Sequence, residues 1–325
     1  MTGTYQEVLS SLSGMSSVLV CTHVAPDADA LGSAGALAYL LAKSGVDAKV
    51  GIAERIPEKL SPLLTKVQVV HELPKSPVDA VVAVDTATEP RVSLPMGELR
   101  GLCSKVINID HHISNTGWGD VNLVVPEASA SAQIVFELLK RGGHRVCSTA
   151  ATLLYMGLLD DTGSFRFSNA TAEAFRCAAE LIDAGAKPDL VAEHLYFSLP
   201  LRELKIRAYA LTNLNVELDG RLAMLSVSSK MLSDAGATAE DTEGVVDIAR
   251  SVTGAKATVF MREMSDGWKL SLRSKDEALD VQQIAAQFGG GGHKMAAGLK
   301  IVGTQAQVEA KILKAFEQAF SAAGF

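Results

Sequence analysis

The acidic and histidine residues of the first half of the chain sit where short apolar runs end. Thr22-His23-Val24-Ala25-Pro26-Asp27-Ala28-Asp29 follows the run 17–22, Asp85 follows 78–84, and Asp110-His111-His112 follows 106–109. Asp161 closes a helical stretch in Asp161-Thr162-Gly163. Carboxylates suit hard divalent cations such as Mg²⁺ and Mn²⁺, and imidazole shifts the preference toward Mn²⁺. Two such cations about 3.5–4 Å apart can clamp both the attacking and the leaving oxygen of a phosphoryl transfer. That arrangement needs a bridging carboxylate and several terminal ligands, which these residues can supply. In Asp27-Ala28-Asp29 the two carboxylates can face different cations, and Asp85, isolated on its strand end, is the natural bridge.

Each residue alone has a simpler reading. Asp27 or Asp29 would cap a helix ahead of Ala30. Asp85 would be a strand-end turn residue, His23 a loop histidine, and one of Asp160 and Asp161 a solvated or capping carboxylate. Their convergence at strand ends within one half of the chain favours the metal reading.

The second half offers a different element, Phe288-Gly289-Gly290-Gly291-Gly292-His293-Lys294-Met295-Ala296-Ala297-Gly298. Glycines let backbone amides approach an anion, and His293 and Lys294 add donors. The Gly-Lys-Ser/Thr ending of a P-loop is missing. A plain hairpin explains the stretch as well as anion binding does. Arg273, at the end of a strand over 268–273, could direct its guanidinium at a phosphate; otherwise it is a surface arginine.

Positioning these residues requires a particular fold. Apolar runs at 17–22, 48–52, 67–70, 78–84 and 106–109 read as buried strands. Helices are expected over 29–44, 131–140, 149–159, 171–184, 189–199 and 201–211. Strands interleaved with helices predict an α/β fold whose mostly parallel sheet is covered by helices on both faces. Ligands of such sheets bind at the carboxyl ends of the strands. A smaller α/β domain follows, with strands at 222–228, 257–262 and 268–273 and helices at 239–252, 281–287 and 304–322. The domains are expected at 1–188 and 213–325, joined by a helical linker over 189–212.

Bulk properties narrow the function. The 325 residues carry a net charge of −7, and 48% are apolar. A chain that grips long nucleic acid usually shows a basic face, so long polymers are not expected as partners. No apolar run approaches the roughly 18 residues of a membrane span. No secretion signal opens the chain, so a cytoplasmic location is expected. Cys21, Cys103, Cys147 and Cys177 are scattered and read as reduced packing thiols.

These motifs resemble those of the DHH phosphoesterases. His23-x-x-x-Asp27-x-Asp29 is similar to the family's first motif, Asp85 to its second, Asp110-His111-His112 to its third and Asp161-Thr162-Gly163 to its fourth. Gly289 to Gly298 resembles the signature of the DHH-associated C-terminal domain. The minimal domain set is similar to the bacterial bifunctional oligoribonuclease and 3′-phosphoadenosine 5′-phosphate phosphatase (nano-RNase) group. The resemblance implies two Mn²⁺, with Mg²⁺ an alternative. His23, Asp27 and Asp85 would hold one cation, and Asp29, Asp85, His111 and Asp161 the other. It implies that Asp110 orients a neighbouring histidine or ligand, that His112 contacts the scissile phosphate and serves as general acid, and that Arg273, Gly291, Gly292 and His293 bind the substrate's terminal phosphate across an interdomain cleft. The implied substrates are oligoribonucleotides of about two to five nucleotides and a mononucleotide bisphosphate, acted on by a monomer or homodimer. Linear or cyclic dinucleotide cleavage is one alternative. A catalytically inactive nucleotide-binding protein is another, disfavoured because every expected ligand position is filled. The basic motif of family II inorganic pyrophosphatases is absent, Arg273-Ser274-Lys275 being a poor substitute. The extra domain of long-strand 5′ exonucleases and the membrane segments of membrane-type cyclic-dinucleotide phosphodiesterases are also missing.

Overall fold

The computed structural model describes residues 3–325. The chain forms two compact units, Met1–Ser198 and Leu199–Phe325. Among the described residues no helix is long and apolar enough to cross a membrane, and all four cysteines are free.

The first unit contains β1 (Ser17–Cys21), β2 (Asp47–Gly51), β3 (Val69–Val70), β4 (Val78–Val84), β5 (Cys103–Asp110) and β6 (Val121–Val124). They form one sheet in the order β3-β2-β1-β4-β5-β6, and every pairing is parallel. Burial on both faces explains the continuous apolar runs. Val18, Val20, Val82, Val84, Ile107 and Ile109 join the larger core cluster on one face. Leu19, Cys21, Val81, Ala83 and Val106 join Leu94, Met96 and Leu99 on the other. The order reverses between β1 and β4, and a parallel sheet opens its ligand crevice at the carboxyl ends of such a pair. His23 and Asp85 follow those two strands directly.

β6, whose four residues include Asn122, and the short helices Tyr5–Leu12 and Met96–Leu102 add to the elements expected from the sequence. The helix expected over 189–199 is instead Pro188–Ala192 followed by a π-turn, Glu193–Phe197. The chain widens there ahead of Pro200, which cannot continue a helix.

Two glycines set the closest helix packing. A Cβ on Gly32, in the helix Ala28–Lys43, would lie 2.3 Å from the Leu153 carbonyl oxygen. A Cβ on Gly157, in the helix Ser148–Asp161, would lie 2.5 Å from Asp29 Oδ1 and 2.9 Å from Ala132 Cβ. This approach brings the first turn of one helix, with Asp29, against the last turns of the other, which end at Asp161. Around the crossing, Leu31, Leu37, Leu153 and Leu154 are buried, each worth about 1.5–3 kcal/mol of transfer free energy.

The second unit contains β7 (Asn215–Glu217), β8 (Leu222–Val227), β9 (Ala257–Met264), β10 (Gly267–Ser274), β11 (Gly291–His293) and β12 (Ala296–Val302), in the order β11-β12-β10-β9-β8-β7. Only β8 and β9 pair in parallel. One face packs on the helices Val281–Ala286 and Gln305–Ala323 through Leu270, Leu272, Ile312 and Phe316. The other packs Leu225 and Phe260 with Ile206 and Ala210 of the helix Leu201–Thr212. The single helix expected over 239–252 is broken into a 3₁₀ turn, Glu240–Thr242, and a short helix, Val245–Ala249. Gly244 between them has φ 73°, a left-handed conformation that glycine adopts without strain and that interrupts a helix.

Gly157→Ala is therefore expected to cost about 1–3 kcal/mol and to displace Asp29. Melting temperature and divalent-cation affinity should both fall. Unchanged cation affinity would show that Asp29 does not depend on this contact.

Candidate metal centre

His23 is 8% exposed. Its Nδ1 lies 2.9 Å from the Val24 carbonyl oxygen, which can only accept, so Nδ1 carries the proton. Nε2, which carries a proton toward Asp85 in the metal-free protein and can give its lone pair to a cation, faces Asp85 Oδ2 at 3.5 Å and Asp27 Oδ2 at 3.8 Å. His111 repeats the device, with Nδ1 3.2 Å from the Ala128 carbonyl oxygen and Nε2 3.2 Å from Asp161 Oδ2 and 3.5 Å from Asp85 Oδ1. Fixing one ring nitrogen on a carbonyl is how proteins orient histidine toward a metal.

Asp27 divides its two oxygens. Oδ1 accepts the Ala30 N–H at 3.0 Å as the N-cap of the helix Ala28–Lys43, and Oδ2 faces His23. The capping and the ligand readings thus coexist in one carboxylate. Asp29 is fully buried and accepts from the N–H groups of Ser131 at 2.7 Å and Ala132 at 2.9 Å. These amides open the helix Ser131–Arg141, whose positive end favours the anion. Nothing in the local sequence signals this second contact.

Asp85 turns out of β4 with φ 56°, a conformation that costs a non-glycine residue about 1–3 kcal/mol. Its own N–H donates to the Ile109 carbonyl at 2.9 Å, which holds the turn. Oδ1 accepts from Ser131 Oγ at 2.9 Å. Burial alone would raise its pKa, but the His23 hydrogen bond and the charges of His111 and His112 hold the carboxyl below its ordinary range. Ser131 read from sequence only as a helix start; its role emerges where that helix meets β4.

Asp110 ends β5, fully buried, and its Oδ1 accepts from His112 Nδ1 at 2.7 Å. That leaves His112 Nε2 open, on a side chain 39% exposed. The Asp110 hydrogen bond, outweighing partial burial, pushes the imidazole pKa up to about 9. The two imidazole rings of the triplet meet edge to face at 4.7 Å.

Three donor groups result: His23, Asp27 and Asp85; Asp29, His111 and Asp161; and Asp85, His111 and His112, each with donor atoms within 4.8 Å of one another. Asp85 and His111 join them. Of the pair Asp160 and Asp161, Asp161 supplies the donor. The carboxylates are crowded. Burial, followed by the charge of Asp85, raises the pKa of Asp27 and raises that of Asp29 well above the ordinary value. The same causes, with Asp27 and Asp160, bring Asp161 to about 8. The ion pairs of Asp27, Asp85 and Asp161 are with histidines. Hard oxygen donors, neutral imidazole nitrogens and unbalanced negative charge make a site that divalent cations fit.

The remaining predicted residues lie in the second unit. Arg273 on β10 pairs with Ala296 on β12, which pairs with His293 on β11. Residues on one row share a face, so Arg273 and His293 project the same way, two strands apart. Arg273 Nε lies 3.9 Å from Asp247 Oδ1. The glycines have packing reasons of their own. A Cβ on Gly290 would lie 2.4 Å from the Gly298 oxygen, and one on Gly292, at φ 144°, 2.5 Å from the Ala296 oxygen. A Cβ on Gly291 would meet nothing within 4 Å.

Residues 17–158 match the DHH family, N-terminal domain, and residues 220–322 match the DHHA1 domain. The chain is 34% identical to the bifunctional oligoribonuclease and PAP phosphatase of Thermus thermophilus, over 98% of this chain and 94% of that one. It belongs to the DHH family of phosphoesterases. It is thus a hydrolase of phosphoester bonds, in a metal-dependent family. The corresponding Bacillus subtilis enzyme is 28% identical over 91% of this chain and 92% of its own length. A crystal structure of an exopolyphosphatase-related protein from Bacteroides fragilis superposes with a TM-score of 0.88 at 25% identity, covering 98% of this chain and 95% of that one.

Protons and cations should compete for this DHH centre. Asp161 titrates at about 8 instead of 3.8, and His112 at about 9 instead of 6.5. In both, the folded state keeps a proton that the unfolded chain gives up at lower pH. Their contribution to stability is therefore present at acid pH and lost as pH rises from about 4 to about 9. Melting of the metal-free protein should fall between pH 5 and pH 8, and added Mn²⁺ or Mg²⁺ should raise it more at pH 8. Equal stabilisation at both pH values would contradict the linkage.

Proposed function

We propose that the protein is a Mn²⁺-dependent hydrolase, cytoplasmic in location, that removes mononucleotides from very short oligoribonucleotides and dephosphorylates 3′-phosphoadenosine 5′-phosphate. The observation that carries this reading is the overlap of donor groups at Asp85, with His112 beside it and its Nε2 left open. The activities for which the Thermus and Bacillus relatives are named support the substrate class.

His23, Asp27 and Asp85 would hold one cation, and Asp29, Asp85, His111 and Asp161 the other. When bound, the pair lowers the pKa of a water and neutralises charge on the phosphoryl oxygens. The chain supplies the rest. Asp110 holds the His112 ring by Nδ1, so the proton on Nε2 points outward, where it passes to the leaving oxygen. The Asp110 hydrogen bond favours the protonated ring. Arg273 and His293, with the backbone of Gly291 and Gly292, would bind a terminal phosphate of the substrate.

A substrate panel tests this. With Mn²⁺, turnover of 3′-phosphoadenosine 5′-phosphate and of dinucleotides should exceed that of long oligonucleotides and of pyrophosphate by about tenfold or more, the scale of a lost binding contact. Mg²⁺ should support less. Equal or faster turnover of long oligonucleotides or pyrophosphate would refute the short-substrate reading.

A further inference from the structure

A hydrogen-bond chain runs behind the Asp110-His111-His112 triplet. Asn108 is fully buried on β5. Its Nδ2 donates to the carbonyls of Thr86 at 3.1 Å and Ala83 at 3.3 Å, so its amide oxygen must face the other way. That oxygen accepts from Asn115 Nδ2 at 2.8 Å. The same Asn115 nitrogen donates to Asp110 Oδ2 at 2.5 Å. The Gly117 N–H donates to Asn115 Oδ1 at 2.8 Å, which excludes the flipped amide. Asp110 Oδ1 is left to accept from His112 Nδ1 at 2.7 Å. The backbone around the end of β4 thus fixes Asn108. Asn108 and Gly117 fix Asn115, Asn115 fixes Asp110, and Asp110 fixes the ring.

The ring has a rival acceptor. His112 Nδ1 lies 3.6 Å from Asp85 Oδ1, and a small rotation would move its hydrogen bond there. Pinning the second oxygen of Asp110 keeps the first in place as the nearer acceptor. Only a primary amide suits position 115, because both of its N–H groups are used and its oxygen is held as well. A carboxylate would offer Asp110 no proton, and a hydroxyl could not donate to both partners.

We propose that Asn115 is a positioning residue for proton donation, holding Asp110 so that His112 Nε2 stays aimed at the leaving oxygen. This rests on the reading of His112 as the general acid. In the step concerned, a water oxygen bonds to phosphorus while the bond from phosphorus to the leaving oxygen breaks. The leaving oxygen keeps that electron pair and takes the Nε2 proton, and the proton released by the attacking water restores Nε2.

The test compares a dinucleotide with its analogue carrying sulfur in place of the leaving oxygen. A ribose alkoxide needs the proton, whereas a thiolate, whose conjugate acid has a pKa near 8.5, leaves without it. Asn115→Ala and Asn115→Ser should lower kcat on the oxygen ester about 10–100-fold, the range for residues that orient a catalytic group, with KM little changed. On the sulfur ester the loss should stay within about threefold. His112→Asn should show the same selectivity, more strongly. Parallel losses on both esters in the Asn115 variants, whether through unfolding or loss of cations, would make Asn115 structural and overturn the proposal. If His112→Asn is itself unselective, the general-acid reading falls first.

Discussion

Carboxylates crowded into one low-dielectric crevice cannot all stay ionised unless positive charge joins them. Asp27, Asp29, Asp85 and Asp161 are in that position; histidines are the ion-pair partners of Asp27, Asp85 and Asp161, and backbone amides hold Asp29. The pKa values of three of the four move upward, and Asp85 alone moves down because the imidazoles surround it. Such a centre takes up protons or cations. Much of the first unit's architecture is the means of holding this unfavourable arrangement together.

The means are distributed through the fold. The strand order places the ends of β1 and β4 side by side, so that His23 and the strained Asp85 face each other. Gly32 and Gly157 let two helices approach closely enough for Asp29 to near Asp161. The amide end of the helix Ser131–Arg141 binds Asp29 while its Ser131 hydroxyl binds Asp85. Backbone carbonyls of Val24 and Ala128 set the ring tautomers. These groups keep the donors in place while they repel one another, so the fold carries the electrostatic cost before any ligand arrives.

Much of this was legible in sequence because parallel strands buried on both faces leave uninterrupted apolar runs, and the residue after each run stands at the sheet's carboxyl edge. His23, Asp85 and Asp110 could be placed that way, and the structure brings them together. The Asn108 and Asn115 amides could not, since an asparagine acquires meaning only from partners that the tertiary fold supplies. Ser131 and Gly157 were silent for the same reason. The break at Gly244 was a visible signal outweighed by the apolar residues around it. In the second unit, the alignment of Arg273 with His293 depends on strand register, which no local pattern reveals. Gly290 and Gly292 satisfy strand packing first, so the presence of glycines alone never distinguished a hairpin from an anion site.

The central claim is that one carboxylate, Asp85, is shared by two cation sites. Elemental analysis of purified protein equilibrated with Mn²⁺, compared with its near-isosteric Asp85→Asn variant, tests it most directly. The account predicts two cations per chain in the parent and loss of both in the variant. Retention of both by a folded Asp85→Asn protein would contradict it.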